Sequence, residues 1–213
     1  MKKNLTELVF ILDRSGSMSG LESDTIRGYH GVLEKQTREP GEATITTVLF
    51  DDKYELLHDR VPLEGVDPIS EKDYYVRGCT ALLDAIGRSI AKTENALANT
   101  GEAAKPEHVM FVITTDGYEN ASREYSLKKV RSLIEAHREQ GWEFIFLGAN
   151  IDAIGTATEL GIAADCASDY IADEEGCGMA FDAICSAASA VRGGRKLTSR
   201  WKASVSADHA ARS

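Results

Sequence analysis

The sequence predicts an α/β fold: a doubly wound, mostly parallel sheet with one antiparallel edge strand. Three observations predict it. Two short apolar runs, one over 8–12 and one within 108–115, each lead into an aspartate, Asp13 and Asp116. Both are too short for a normal helix and are rich in the branched and aromatic residues that suit a strand covered on both faces. Stretches with helical spacing alternate with such runs along the chain, which is the order of a sheet carrying helices on both sides through right-handed crossovers. Finally, a run over 43–50 is followed at hairpin distance by another over 54–58, the pattern of an antiparallel edge pair.

Taken in order, the strand ending at Asp13 is followed by a first crossover helix over 21–38, with Leu21, Ile26, Tyr29, Val32 and Leu33 near helical spacing and Pro40-Gly41 closing it. Residues 59–78 hold Pro62, Pro68 and several acids without a period, which predicts a long surface loop of the kind that is more often functional than idle. Gly78 turns the chain into a helix opened by Thr80, with apolar positions at Ala81, Leu82, Leu83, Ala85, Ile86, Ile90 and Ala91, reaching about residue 99. The second apolar strand then leads to Asp116. A helix over 126–140, a strand over 143–147, a short helix over 153–160 and a weaker strand over 165–168 follow. Asp173 is placed to cap a last helix running to about 191. From 193 onward the composition is polar and basic without periodicity, which predicts one domain over 1–192 and a basic, flexible tail over 193–213.

Of 213 residues, 43% are hydrophobic and 27% charged, ordinary values for a globular protein long enough to bury a full core. A net charge of −10 argues against a nucleic-acid partner, because phosphate binding rests on clustered Lys and Arg. The charge is uneven. Residues 192–213 carry six basic side chains and one acid, net +5, which leaves −15 for the rest. The N-terminal Lys2 and Lys3 are not followed by the apolar stretch of about 7–15 residues that a secretory signal requires. No run approaches the length of about 18 residues that a membrane span needs. Cys79, Cys166, Cys177 and Cys185 show neither C-x-x-C spacing nor nearby paired histidines, so the expectation is a reduced, cytoplasmic protein with no zinc knuckle and no membrane anchor.

The chemistry concentrates at the strand ends. Asp13 sits where the first strand meets its loop, and Ser15 and Ser17 follow with Gly16 between them for a tight bend. In an open parallel sheet the C-terminal edge of the strands is where ligands bind. One carboxylate and two hydroxyls, all oxygen, suit a hard divalent cation such as magnesium. Asp116 ends a second strand, and Thr80 stands at a helix start, so three separate loops offer oxygen donors at one sheet edge. Taken singly, each residue has a plainer role: Asp13 and Asp116 as acceptors in turns, Ser15 and Ser17 as helix caps.

This ordered set resembles the von Willebrand factor type A (VWA) domain. Its metal-ion-dependent adhesion site (MIDAS) is written D-x-S-x-S, then a Thr, then an Asp. Here the pattern is filled by Asp13-Arg14-Ser15-Gly16-Ser17, by Thr80 within Gly78-Cys79-Thr80-Ala81-Leu82-Leu83-Asp84, and by Asp116 within Thr114-Thr115-Asp116-Gly117. The stretches 40–42, 50–52, 117–124 and 141–150 look like a bacterial and phage subgroup of small stand-alone members. The resemblance spans roughly 5–190 and implies a Rossmann-like VWA fold. It also implies a metal, Mg2+ or Mn2+, held by Asp13, Ser15, Ser17, Thr80 and Asp116, the carboxylates acting directly or through water. With only two carboxylates, the ion stays electron-poor when one of them is held through water, which favours an acidic side chain or carboxylate from a partner protein.

The remaining polar residues near the motif have plainer readings. Asp51 and Asp52 are solvated hairpin acids or line the same edge; Glu119 and Asn120 serve a structural turn or a partner; Asp84 is solvated or capping; Cys79 is a small buried filler. The function expected is a metal-dependent protein-interaction module, not an enzyme. One alternative is a magnesium-dependent phosphoryl hydrolase using Asp13 as nucleophile, but such enzymes need a second acid where Ser15 stands. A serine hydrolase is excluded because Gly16-Ser17-Met18-Ser19-Gly20 places Met18 at the nucleophile of G-x-S-x-G, and there is no G-x-x-x-x-G-K-S/T nucleotide loop. The other alternative is a domain whose metal only braces three loops.

Overall fold

A computed structural model describes residues 1–213. Its strands are β1 (Lys2–Asp13), β2 (Glu42–Phe50), β3 (Tyr54–Pro62), β4 (Pro106–Thr115), β5 (Glu143–Ala149) and β6 (Ala167–Tyr170). They form one six-stranded sheet in the order β3-β2-β1-β4-β5-β6. All neighbours are parallel except β2 and β3, the expected hairpin at the edge. The central strand β1 is apolar on both sides because both of its faces are covered. Leu8, Phe10 and Leu12 point into a core closed by α1 (Glu22–Gln36), α5 (Glu174–Arg192) and α6 (Ala203–Arg212). Val9 and Ile11 point into a second core under α2 (Leu82–Ala98), α3 (Leu127–Glu139) and α4 (Ala153–Glu159). The period of two along a strand makes this division automatic.

Local signals set the helix starts. The side chains of Ser126, Asp152 and Asp173 accept hydrogen bonds from the backbone N–H groups of Lys129, Gly155 and Gly176, so each caps the helix that follows. No helix is long and apolar enough to cross a membrane.

Three expectations need correction. The segment 59–78 is not a surface loop throughout: β3 continues to Pro62, a 3-10 turn follows over Leu63–Gly65, and Ile69 and Tyr74 are buried. Tyr74 is drawn in because its ring fills the core while its hydroxyl donates to the carbonyl of Asp13. The last strand is displaced to Ala167–Tyr170, with Asp165 in a 3-10 turn ahead of it. The segment after 193 is not a loose tail. Residues Ser199–Lys202 form a 3-10 turn and α6 follows, with Leu197, Trp201 and Val205 buried in the first core. The Trp201 indole N–H donates to the carbonyl of Asp165 at 2.9 Å, and Arg212 pairs with Asp173 at 2.6 Å, tying α6 to the start of α5. Burial of three apolar side chains outweighs the polar composition.

Candidate metal centre

The parallel register brings the predicted residues to one edge. Asp13 is the last residue of β1 and Asp116 follows β4 directly. Because Leu12 pairs with Thr114, Asp13 lies abreast of Thr115. The Asp13 carboxylate is fully buried, and both of its oxygens are engaged: one accepts from the Ser15 N–H at 2.6 Å, the other from the Thr115 hydroxyl at 2.6 Å. Burial pushes its carboxyl up to about 6, against the pull of those two donors and with a small added push from Asp116. Thr115 is a supporting residue that the sequence reading missed. Its signal was a hydroxyl immediately before a strand-end aspartate.

Above Asp13 the hydroxyls gather. The Ser15 and Ser17 oxygens lie 3.0 Å apart, and the Thr80 hydroxyl donates to that of Ser15 at 3.0 Å. Ser15 and Thr80 are buried while Ser17 stands at the surface, so the cluster opens to solvent on the Ser17 side. Gly117 permits this closeness. A Cβ there would stand 2.8 Å from the Ser17 oxygen and 3.0 Å from that of Thr80.

Asp116 is the exception among the buried acids. It is 4% exposed, yet neither carboxylate oxygen has a hydrogen-bond partner. Burial raises its pKa; the Ser17 hydroxyl is close enough to temper that shift but makes no well-formed hydrogen bond. Buried carboxylates are normally paired or coordinate a metal. Two orphaned acceptors beside three clustered hydroxyls, with a second carboxylate beneath, are therefore a donor set that fits a hard divalent cation. No group of three or more His, Cys, Asp and Glu side chains gathers elsewhere as a metal cage.

The loops that carry these residues are held from behind. The Thr80 N–H donates to the Asn120 side chain at 2.9 Å, and the Thr80 carbonyl accepts from the Asn120 and Ala121 N–H groups. Glu119 accepts from the backbone of Leu83, Ala121 and Ser122 and from the Ser122 hydroxyl. Glu119 and Asn120 thus serve the structural turn. Asp84 is also spent internally: burial would raise its pKa, but three hydrogen bonds from the N–H groups of 123–125 outweigh it and the net shift is downward. Cys79 is exposed, not a buried filler, since its neighbour Thr80 takes the inward position.

Asp51 and Asp52 divide. Asp52 is exposed, and its carboxylate lies against Gly78, whose φ of +68° and lack of a Cβ permit the contact. Asp51 is neither a solvated turn residue nor a metal neighbour: it is fully buried and bridges Arg14 and Arg77 at 3.1 and 2.6 Å. Burial would raise its carboxyl, but the Arg77 hydrogen bond, turn donors and the Arg14 charge hold it below the usual range. Arg14 carries no recognisable signal in the motif, where any residue is allowed between Asp13 and Ser15.

No protein-family model matches the sequence, and no curated protein matches it. Solved structures do match in fold. Proximal thread matrix protein 1 from the mussel byssus, solved with a zinc-occupied MIDAS motif, superposes with a TM-score of 0.60 at 13% identity, over 89% of this chain and 47% of that one. The manganese-loaded TRAP protein of Plasmodium vivax matches with a TM-score of 0.57 at 15% identity, over 84% and 73%. The pilus adhesin SpaC of Lactobacillus rhamnosus GG matches with a TM-score of 0.65 at 10% identity, over 89% and 31%. This chain spans about half the length of the mussel protein and a third of the adhesin. At such identities the likeness is one of architecture, and the architecture is that of a VWA fold.

Proposed function

We propose that this protein is a metal-dependent protein-interaction module that holds Mg2+ or Mn2+ through Asp13, Ser15, Ser17, Thr80 and Asp116 and binds an acidic group of a partner protein at that ion. The observation that carries the reading is the Asp116 carboxylate, buried with both oxygens unpartnered beside a cluster in which the Ser15 hydroxyl lies within hydrogen-bond distance of those of Ser17 and Thr80. A divalent ion supplies the partner those oxygens lack. Two carboxylates balance the ion's formal charge, but with one of them held through water the ion stays electron-poor, and the surface position of Ser17 leaves an approach for a further anionic donor. The metal-loaded mussel and Plasmodium structures of the same fold support a divalent cation in this position. Four free cysteines accord with a reducing, cytoplasmic setting, and the stretches 40–42, 50–52, 117–124 and 141–150 accord with the bacterial and phage subgroup.

The geometry speaks against a phosphoryl hydrolase. Asp13, the only candidate nucleophile, is fully buried with both oxygens engaged, and Ser15 stands where the proton donor belongs. The test is calorimetric titration of Mg2+ and Mn2+ into chelated protein, followed by titration of an Asp- or Glu-containing peptide and of its Asn or Gln counterpart. Saturable metal uptake and metal-dependent binding of the acidic peptide alone are expected. Metal uptake with equal affinity for both peptides would reduce the ion to a brace.

A further inference from the structure

Arg14 lies between two of the proposed ligands, yet its side chain turns away from them and is completely buried. All three of its guanidinium nitrogens donate: Nε to Asp51 at 3.1 Å, one terminal nitrogen to the Asp73 carbonyl at 3.0 Å, and the other to Glu55 at 2.5 Å. Arg77 donates to the same Asp51 oxygen at 2.6 Å. The Tyr75 ring lies beside both guanidinium groups, its centroid 5.3 and 5.2 Å from their carbons. Two cations and two carboxylates thus join the end of β1, the β2–β3 hairpin and the segment that delivers Thr80.

The backbone bonds around this cluster show what it holds. The Arg77 N–H donates to the Arg14 carbonyl at 3.0 Å, the Gly16 N–H to the Gly78 carbonyl at 3.2 Å, and the Ala81 N–H to the Asp51 carbonyl at 2.9 Å. Thr80 is therefore bracketed on both sides by contacts to residues of the cluster or their neighbours. We infer that Arg14, Asp51 and Arg77 are positioning residues for the metal centre, fixing the 77–81 segment so that the Thr80 hydroxyl stays against Ser15. The cluster also has an electrostatic effect. A cation inside the Asp13-to-Ser15 loop would repel a divalent ion, and its pairing with Asp51 and Glu55 leaves the charge of Asp13 and Asp116 uncompensated for the metal. This inference rests on the metal-binding reading, and its test separates the two.

Mn2+ is titrated into chelated wild-type protein, Arg77→Gln, Asp51→Asn and Arg60→Gln, and each chelated protein is also melted and its amide exchange followed over 77–81. Arg77 is a third exposed, so its variant keeps the fold. Arg60 is the control: it pairs with the buried Glu7 at 2.8 Å, six residues and about 20 Å before Asp13 along β1. Supporting residues around metal ligands contribute about 10-fold or more in affinity. The expected result is a Kd for Mn2+ raised about 10-fold in Arg77→Gln and Asp51→Asn, with faster exchange at the Arg77, Thr80 and Ala81 amides. Arg60→Gln should melt earlier with an unchanged Kd. Wild-type uptake with the same Kd in all four proteins would overturn the positioning role and leave the metal site standing. Equal loss of affinity in the Arg60 control would overturn it too, by making the effect one of general stability. Absence of uptake by the wild type would remove the metal reading itself, and the positioning role with it.

Discussion

Replacing Asp116 by Asn should change the stability of the chelated and metal-loaded protein in opposite directions. In the metal-free state the carboxylate is buried with neither oxygen paired. A buried, unsatisfied polar group costs about 1–3 kcal/mol, and more when charged. Asn keeps the volume and removes the charge, so the chelated variant should be more stable than chelated wild type by about 2 kcal/mol. For a chain of this length that is a rise in Tm of about 4–8 °C. Metal reverses the order. At a free concentration of 100 Kd the wild type gains about 2.7 kcal/mol, roughly 5–10 °C, while the variant, short of one of two carboxylates, gains little. The assay is a thermal melt of both proteins in EDTA and in a magnesium series. An ordinary capping aspartate predicts the reverse: a variant less stable in EDTA, with magnesium moving both proteins equally. That result would refute the assignment of Asp116 as a ligand.

Other consequences follow from named contacts. Gly117→Ala places a methyl group 2.8 Å from the Ser17 oxygen and 3.0 Å from that of Thr80; pushing the hydroxyls apart should weaken Mn2+ binding about 10-fold, read by calorimetry, with the chelated Tm lowered far less. Trp201→Ala removes a buried indole and its bond to the Asp165 carbonyl, and should cost about 3–5 kcal/mol in urea unfolding; an unchanged midpoint would mean that the C-terminal segment is not part of the cooperative unit. His58 is buried against the Thr47 hydroxyl, and burial lowers its pKa despite the opposing charge of Asp67. The unfolded chain therefore takes up this proton first. The His58 contribution is fully present above about pH 6.5 and is lost as pH falls through the lower folded value, with a slope approaching about 1.4 kcal/mol per pH unit. His58→Gln should flatten the Tm profile between pH 7 and 5.

The proposed metal motif was legible because its members sit in local signatures that the ordered pattern of the family resemblance ties together. An apolar run names the strand, and the acid that ends it names the edge. Asp13, Ser15, Ser17, Thr80 and Asp116 could be chosen by type and order before any contact was known, and the structure brings all five together. Their supports could not, because a support is selected by register. Thr115 reaches Asp13 only because Leu12 pairs with Thr114. Asp51 meets Arg14 only because Asp13 pairs with Phe50, which sets the two following residues side by side. In sequence, Asp51 and Asp52 are two equivalent acids in a hairpin; in the fold one is fully buried between two guanidinium groups and the other is exposed.

The C-terminal segment shows a different kind of misreading, in which composition masked a pattern that was present. Six basic residues and one acid after residue 191 suggest a solvated tail. Leu197, Trp201 and Val205 are nevertheless spaced four apart, and all three are buried, although only Val205 lies in α6. Asp208 and Arg212 hold the same spacing and form an ion pair. The cations do not oppose docking because they need not be buried with the apolar stripe. Lys202 turns its ammonium to the carbonyls of Ala164 and Ala167, and Arg212 reaches Asp173, the residue that caps α5. Net charge describes the solvent face of such an element, and spacing describes the face that packs. For a C-terminal segment that ends in a helix of ten residues, three well-placed apolar side chains, Leu197 before the 3-10 turn, Trp201 within it and Val205 in the helix, decide whether it docks.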